Sequence, residues 1–131
     1  MGFNKKERHY PDIYSSTIAV IGLGYVGLPL AIEFAKKQKC VSSGRNMDRK
    51  VIGFDINKER INELKRGFDR TNEIDAELIL ENKYLSFSDS TEQILSADIF
   101  IITVPTPIDK HKKPDLRALK NASTTVAKAL K

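Results

Sequence analysis

Short apolar runs alternate with longer amphipathic stretches along this chain. Residues 17–21 (TIAVI) are rich in β-branched residues and lack polar alternation, which predicts a strand buried on both faces. A helix is expected over about 26–37, with Leu30, Phe34 and the alanines as its core face. Pro29 is tolerated in its first turn, where a missing N–H has no partner to lose. Residues 38–50 read as a loop whose turn formers are Ser42, Ser43, Gly44 and Asn46, and VIGFD (51–55) as the second strand. A helix over about 58–66 follows, capped by Asn57, with Ile61 and Leu64 inward and Gly67 as its stop. The polar connection FDRTNEID leads to a helical stretch near 76–81, a strand near 84–87 and a short helix near 91–95. DIFIITV (98–104) is apolar enough for a central strand with neighbours on both sides. After the loop PTPIDKHKKPD, Asp115 is placed to cap a last helix with Leu116, Leu119, Val126 and Leu130 on one stripe.

This alternation predicts an α/β fold: a Rossmann-like, doubly wound parallel sheet of about four strands with a terminal helix. Residues 17–131 form the expected domain and 1–16 an N-terminal extension. A helix that follows a strand in a parallel sheet normally returns the chain to another strand, yet none follows here. The expectation is therefore a piece of a larger doubly wound domain, apparently truncated; a final helix docked on the sheet as a cap is the alternative. On the first reading the fourth strand leaves an unpaired apolar edge, which would favour self-association.

Composition narrows the function classes. With 40% hydrophobic residues in 131, the chain can bury one core. The longest apolar run, IFIITV, is far too short to span a bilayer, and the first 16 residues lack the apolar centre of a signal peptide. A lone cysteine, Cys40, excludes an internal disulfide and a multi-thiolate metal site, so a cytoplasmic protein without a metal is expected. The net charge of +5 is local, because residues 36–50 hold six of the 22 basic residues and one of the 17 acidic ones. No aromatics interleave with that run, which reads as a solvated loop rather than a nucleic-acid surface.

The chemistry gathers where the first strand ends. IAVIGLGYVGLP places Gly22, Gly24 and Gly27 at G-x-G-x-x-G spacing between a predicted strand and a predicted helix. In that context the first glycine permits a tight turn, the second lets a pyrophosphate approach the backbone, and the third lets the helix pack close to the sheet. The helix N-terminus adds free N–H groups and a positive dipole end. Asp55 ends the second strand, where a carboxylate accepts from ribose hydroxyls and repels a 2′-phosphate, so the cofactor expected is NAD rather than NADP. The separation from Gly27 to Asp55 exceeds the usual ~20 residues. The polar 38–50 loop accounts for the excess at the end of the sheet opposite the cofactor. A plain structural turn, or another nucleotide ligand such as S-adenosylmethionine, remains the alternative.

IAVIGLGYVGLPLAIEFAKK, VIGFDINKERINELKRG, ADIFIITVPTPID and KKPDLRAL together resemble the NAD-binding domain of the UDP-glucose/GDP-mannose dehydrogenase family. GFDRTNEID further resembles its branch acting on UDP-N-acetylhexosamines for bacterial surface polysaccharides, the Vi-antigen type. The resemblance implies oxidation of the C6 alcohol of a UDP-sugar to a carboxylate in two NAD-dependent hydride transfers, by an enzyme expected to be a homo-oligomer. It assigns Gly22, Gly24, Tyr25, Val26 and Gly27 to the pyrophosphate and Asp55 to the adenosine ribose. Arg60 would flank the adenosine end, although as a bare sequence position it reads as an exposed helix residue. Val104, Pro105 and Thr106 would border the site after the fourth strand, with Thr106 on the nicotinamide side, or simply form a rigid exit loop. The family's acyl-forming cysteine and its lysine partner have no counterpart here, so no catalytic residue is assigned; Cys40, His9 and His111 are expected to be bystanders. A stand-alone NAD-binding module and a UDP-glucose 6-dehydrogenase are the competing readings.

Overall fold

The computed structural model describes residues 10–130; His9 and Lys131 lie outside them. Four parallel strands, β1 (Ile18–Ile21), β2 (Val51–Phe54), β3 (Leu85–Ser88) and β4 (Ile99–Ile102), pair in the order β3-β2-β1-β4. The first crossovers carry the chain from β1 outward to β3, and β4 then pairs on the other side of β1. β1 and β4 thus flank the point at which the winding reverses, where open α/β sheets bind ligands.

Successive side chains of β1 point to opposite faces, and each face has its own core. Ile18 and Val20 join Leu28, Ile32, Ile61 and Leu64 under α1 (Gly27–Lys36) and α2 (Lys58–Lys65). Ala19 and Ile21 join Phe54, Ile94, Ala122 and Ala129 under α4 (Arg117–Ala129) and the 3-10 helix Thr91–Ser96. α3 (Ala76–Leu80) closes the first face with Ile79. Asn57 caps α2 as expected, its side chain accepting from the N–H groups of Glu59 and Arg60, and Gly67 leaves that helix at φ +78.

Three expectations need correction. The face of α1 packed against the sheet is Leu28, Ala31, Ile32 and Ala35, the i, i+3, i+4, i+7 stripe; Phe34 is half-buried against the core, and Leu30 is half-buried outside that stripe. α4 starts two residues after Asp115, and the side chain that would have capped it binds the N–H and guanidinium of Arg117 instead. Its inward stripe is therefore Ala122 and Ala129, with Leu119 and Val126 half-buried and Leu116 and Leu130 exposed beyond the helix ends. Finally, β4 is an edge of the described sheet, so its four residues are only half-buried, where those of β1 are fully buried.

The 38–50 loop folds on itself through an antiparallel bridge between Lys39 and Asn46, and Arg45 stacks 4.0 Å from the ring centre of Tyr14. It enters β2 at its N-terminal end, across the sheet from the glycine turn. Cys40 sits here with its Sγ 3.3 Å from the Ser42 hydroxyl. Hydrogen bonds from the side chains of Ser42 and then Ser43 lower its thiol pKa to about 6. Alkylation of Cys40 should therefore already be fast at neutral pH, with a pH–rate midpoint near 6 that Ser42→Ala moves toward the ordinary thiol value. A midpoint at the ordinary value in the unmodified chain would refute the serine effect.

Candidate functional site

A cleft of about 730 Å³ opens where β1, β2 and β4 end. Gly22, Leu23 and Gly24 form one wall, Asp55 and Arg60 the next, and Val104 and Pro105 a third. α4 lines the far side through Ala118, Asn121 and Thr125.

The three glycines meet three different demands. Gly22 has φ +100 and donates its N–H to the Phe54 carbonyl at 2.8 Å, turning the chain sharply off β1. At Gly27 a Cβ would lie 1.8 Å from the Gly22 carbonyl oxygen and 2.4 Å from Thr103 Oγ1, so the helix can approach the turn only without a side chain. At Gly24 a Cβ would meet nothing within 4 Å; this backbone faces open space and is exposed. α1 begins directly behind, with no side-chain cap and no acidic residue in its first turn. A free helix N-terminus behind a bare backbone suits a phosphate group.

The Leu23 peptide groups are held from both sides. Its N–H donates to Asp55 Oδ2 at 2.9 Å, and its carbonyl accepts from Arg60 Nε at 2.8 Å. Asp55 Oδ1 also accepts from the Asn57 N–H at 3.0 Å. Each Asp55 oxygen thus keeps acceptor capacity for a ligand hydroxyl. Thr103 Oγ1 donates to the Gly22 carbonyl at 2.7 Å and ties the turn to the end of β4.

Arg60 departs from its sequence reading, because it is buried rather than exposed on α2. Its Nη1 lies 2.9 Å from Asp69 Oδ1, an ion-pair contact rather than an aligned hydrogen bond, and its Nη2 is buried without a hydrogen-bond partner. Asp69 also accepts from the Thr71 N–H and hydroxyl and from the N–H groups of Glu73 and Ile74. Burial pushes its carboxyl pKa up, but the Thr71 bonds, the Arg60 guanidinium in contact and the backbone N–H groups outweigh this and leave it lowered. Asp69 and Thr103 were missed as site residues. D-x-T within the polar connection is an Asx-turn signal that could have marked Asp69, whereas nothing separates Thr103 from the apolar run around it.

The remaining expected positions divide. Val104, Pro105 and Pro107 line the cleft, while the side chains of Tyr25 and Val26 are exposed beside the turn and Thr106, between the two prolines, is exposed and not part of the lining. Neither Cys40 nor His111 lines it. Among the described residues no group of three His, Cys, Asp or Glu side chains could hold a metal, and no helix is long and apolar enough to cross a membrane.

Residues 16–131 match the model of the UDP-glucose/GDP-mannose dehydrogenase family, NAD binding domain. The chain is 50% identical over 114 residues to the UDP-N-acetyl-D-glucosamine 6-dehydrogenase of Pseudomonas aeruginosa, covering 87% of this chain and 24% of that protein. Identity to the Salmonella typhi enzyme of the same description is 50% over 113 residues, 86% of this chain and 24% of the other. Among solved structures, a UDP-D-ManNAc dehydrogenase from Pyrococcus horikoshii superposes with a TM-score of 0.70 at 38% identity, over 86% of this chain and 25% of that one. This chain spans about a quarter of the length of these relatives. The switch-point cleft, the division of labour among its glycines and these similarities agree: the chain belongs to the UDP-glucose/GDP-mannose dehydrogenase family, matching its NAD binding domain.

Proposed function

We propose that this chain holds NAD for an enzyme that oxidises the C6 alcohol of a UDP-N-acetylhexosamine to a uronic acid in two steps, for a surface polysaccharide. The observation that carries the cofactor site is Gly24, a backbone position open to the cleft between two glycines that the packing requires. Gly22, its own N–H spent on the Phe54 carbonyl, makes the turn that presents the backbone of Gly24, Tyr25, Val26 and Gly27 to the pyrophosphate; exposed Tyr25 and Val26 side chains are compatible with this, since only their peptides are needed. Asp55 accepts from the adenosine ribose hydroxyls, and Arg60 stands at the adenosine end. Val104 and Pro105 close the opposite wall, with Thr106 toward the nicotinamide. When bound, NAD supplies the hydride acceptor. The 50% identity to two UDP-N-acetyl-D-glucosamine 6-dehydrogenases favours a hexosamine over glucose as the sugar. A cytoplasmic homo-oligomer without a nucleic-acid or membrane partner belongs to the same reading.

The described cleft has no thiol and no imidazole on its wall. The isolated 131-residue chain should therefore bind NAD yet generate no NADH from UDP-N-acetylglucosamine, UDP-N-acetylgalactosamine or UDP-glucose, because nothing at the site orients the sugar or holds an acyl intermediate. Absorbance at the NADH band over hours checks this. Sustained production by the pure chain would refute the assignment of a binding role alone, and absence of NAD binding by calorimetry would refute the cofactor site.

A further inference from the structure

Two charges of opposite sign grip one residue of the glycine turn. Asp55 holds the Leu23 N–H and Arg60 holds the Leu23 carbonyl, so carboxylate and guanidinium stand within one residue's span at the end of the cleft assigned to adenosine. An uncompensated arginine there would offset the repulsion that Asp55 exerts on a 2′-phosphate, since unit charges several ångströms apart at a partly buried site still interact appreciably. Arg60 is not uncompensated. Asp69, with a side chain 1% exposed, lies 2.9 Å from its Nη1 and is itself fixed by four hydrogen bonds from Thr71, Glu73 and Ile74. Those bonds fix Asp69, and through it the polar connection 68–74 reaches the cofactor turn; Arg70 and Thr71 of the same connection line the cleft, where the Arg70 charge is paired with Glu63.

We propose that Asp69 is a positioning residue for the cofactor that acts through Arg60: it keeps Nε on the Leu23 carbonyl and cancels the guanidinium charge, so that Asp55 discriminates NAD from NADP unopposed. The proposal rests on the reading that this cleft binds NAD. A merely structural Asp69 would weaken both cofactors alike when removed. A charge-compensating one changes their ratio, because the Arg60 charge it leaves behind attracts the additional phosphate of NADP.

Calorimetric titration of the full 131-residue chain with NAD and with NADP separates these. Asp69→Asn should lower the preference for NAD by about fivefold or more, and Asp69→Glu should retain most of it. Arg60→Gln, which removes the charge but keeps an amide donor, should weaken both cofactors while keeping or raising the preference for NAD, because the Asp69 charge it leaves behind repels the additional phosphate. Combining it with Asp69→Asn should restore the wild-type ratio, the non-additivity expected of two residues acting as a unit. Thermal unfolding of each variant establishes that it is folded; if Asp69→Asn does not fold, Asp69→Ser, which also removes the charge but whose hydroxyl can still bond within the turn, is read in its place with the same expected fall in ratio. An unchanged ratio in folded Asp69→Asn, with both affinities falling together, overturns the proposal while leaving NAD binding intact. A wild-type chain that binds neither cofactor overturns the cofactor reading and the proposal with it.

Discussion

Gly27→Ala should unfold the turn, whereas Gly24→Ala should leave it folded and lose the ligand. The Cβ at position 27 would overlap the Gly22 carbonyl oxygen at 1.8 Å and Thr103 Oγ1 at 2.4 Å. The first of these is backbone, pinned by Thr103 on one side and by the φ +100 turn on the other, so it cannot yield cheaply. Relief requires α1 to move away from β1, which opens the core around Leu28 and Ile32. A loss of about 3 kcal/mol or more is expected, at the upper end for overpacking. In a domain of this size that lowers the melting temperature by roughly 10 °C. At position 24 a Cβ meets nothing within 4 Å, so the melting temperature should stay within about 2 °C. The methyl would instead stand where a phosphate approaches, and NAD affinity should fall roughly tenfold or more. Thermal unfolding and calorimetry on the same samples check both halves. Equal destabilisation by the two substitutions would refute this division of labour.

Asp55→Ala should weaken NAD by on the order of tenfold to a hundredfold, the range for losing hydrogen bonds to a charged acceptor. NADP should weaken much less, because the same substitution removes a repulsive charge. Two further bonds are lost, since Asp55 accepts from the N–H groups of Leu23 and Asn57. Asp55→Asn separates these effects: its amide oxygen can still accept one backbone bond while the charge is gone. If the Asn variant keeps the wild-type preference for NAD, charge is not the basis of discrimination. If its preference collapses as in the Ala variant, charge is.

The legible parts of this fold are those where local chemistry and tertiary environment make the same demand. β1, β2 and the cap at Asn57 are of this kind: apolar β-branched runs, and a side chain bonded within three residues of itself. Leu30 reads as core because it shares a flank with Ala31 and Phe34, but the face of α1 that meets the sheet is centred on Leu28, Ala31, Ile32 and Ala35; Leu116 lies before the first turn of α4 and so outside its stripe. The glycines and Asp55 could be recognised from spacing, since the turn they build is local to two strand ends. The pairing of Arg60 with Asp69 could not, because it spans a nine-residue excursion through the end of α2 and a polar turn. Charged residues on a short helix read as solvated until a partner closes over them.

The two walls of the cleft are built on cores of unequal weight. Behind the glycine turn stand Leu23, Leu28, Ile32, Ile61 and Leu64, all essentially inaccessible. Behind α4, the residues buried from the helix itself are two alanines. Alanine contributes little apolar area per position, so α4 is anchored by shallow contacts and by the half-buried Leu119 and Val126. The sheet side is accordingly the firmly anchored wall and the α4 side the lightly anchored one, whose amides should exchange with solvent by local opening well before those of β1. A ligand lodged between them would gain its register from the first wall and add protection chiefly to the second, making α4 the part of the molecule that registers occupancy.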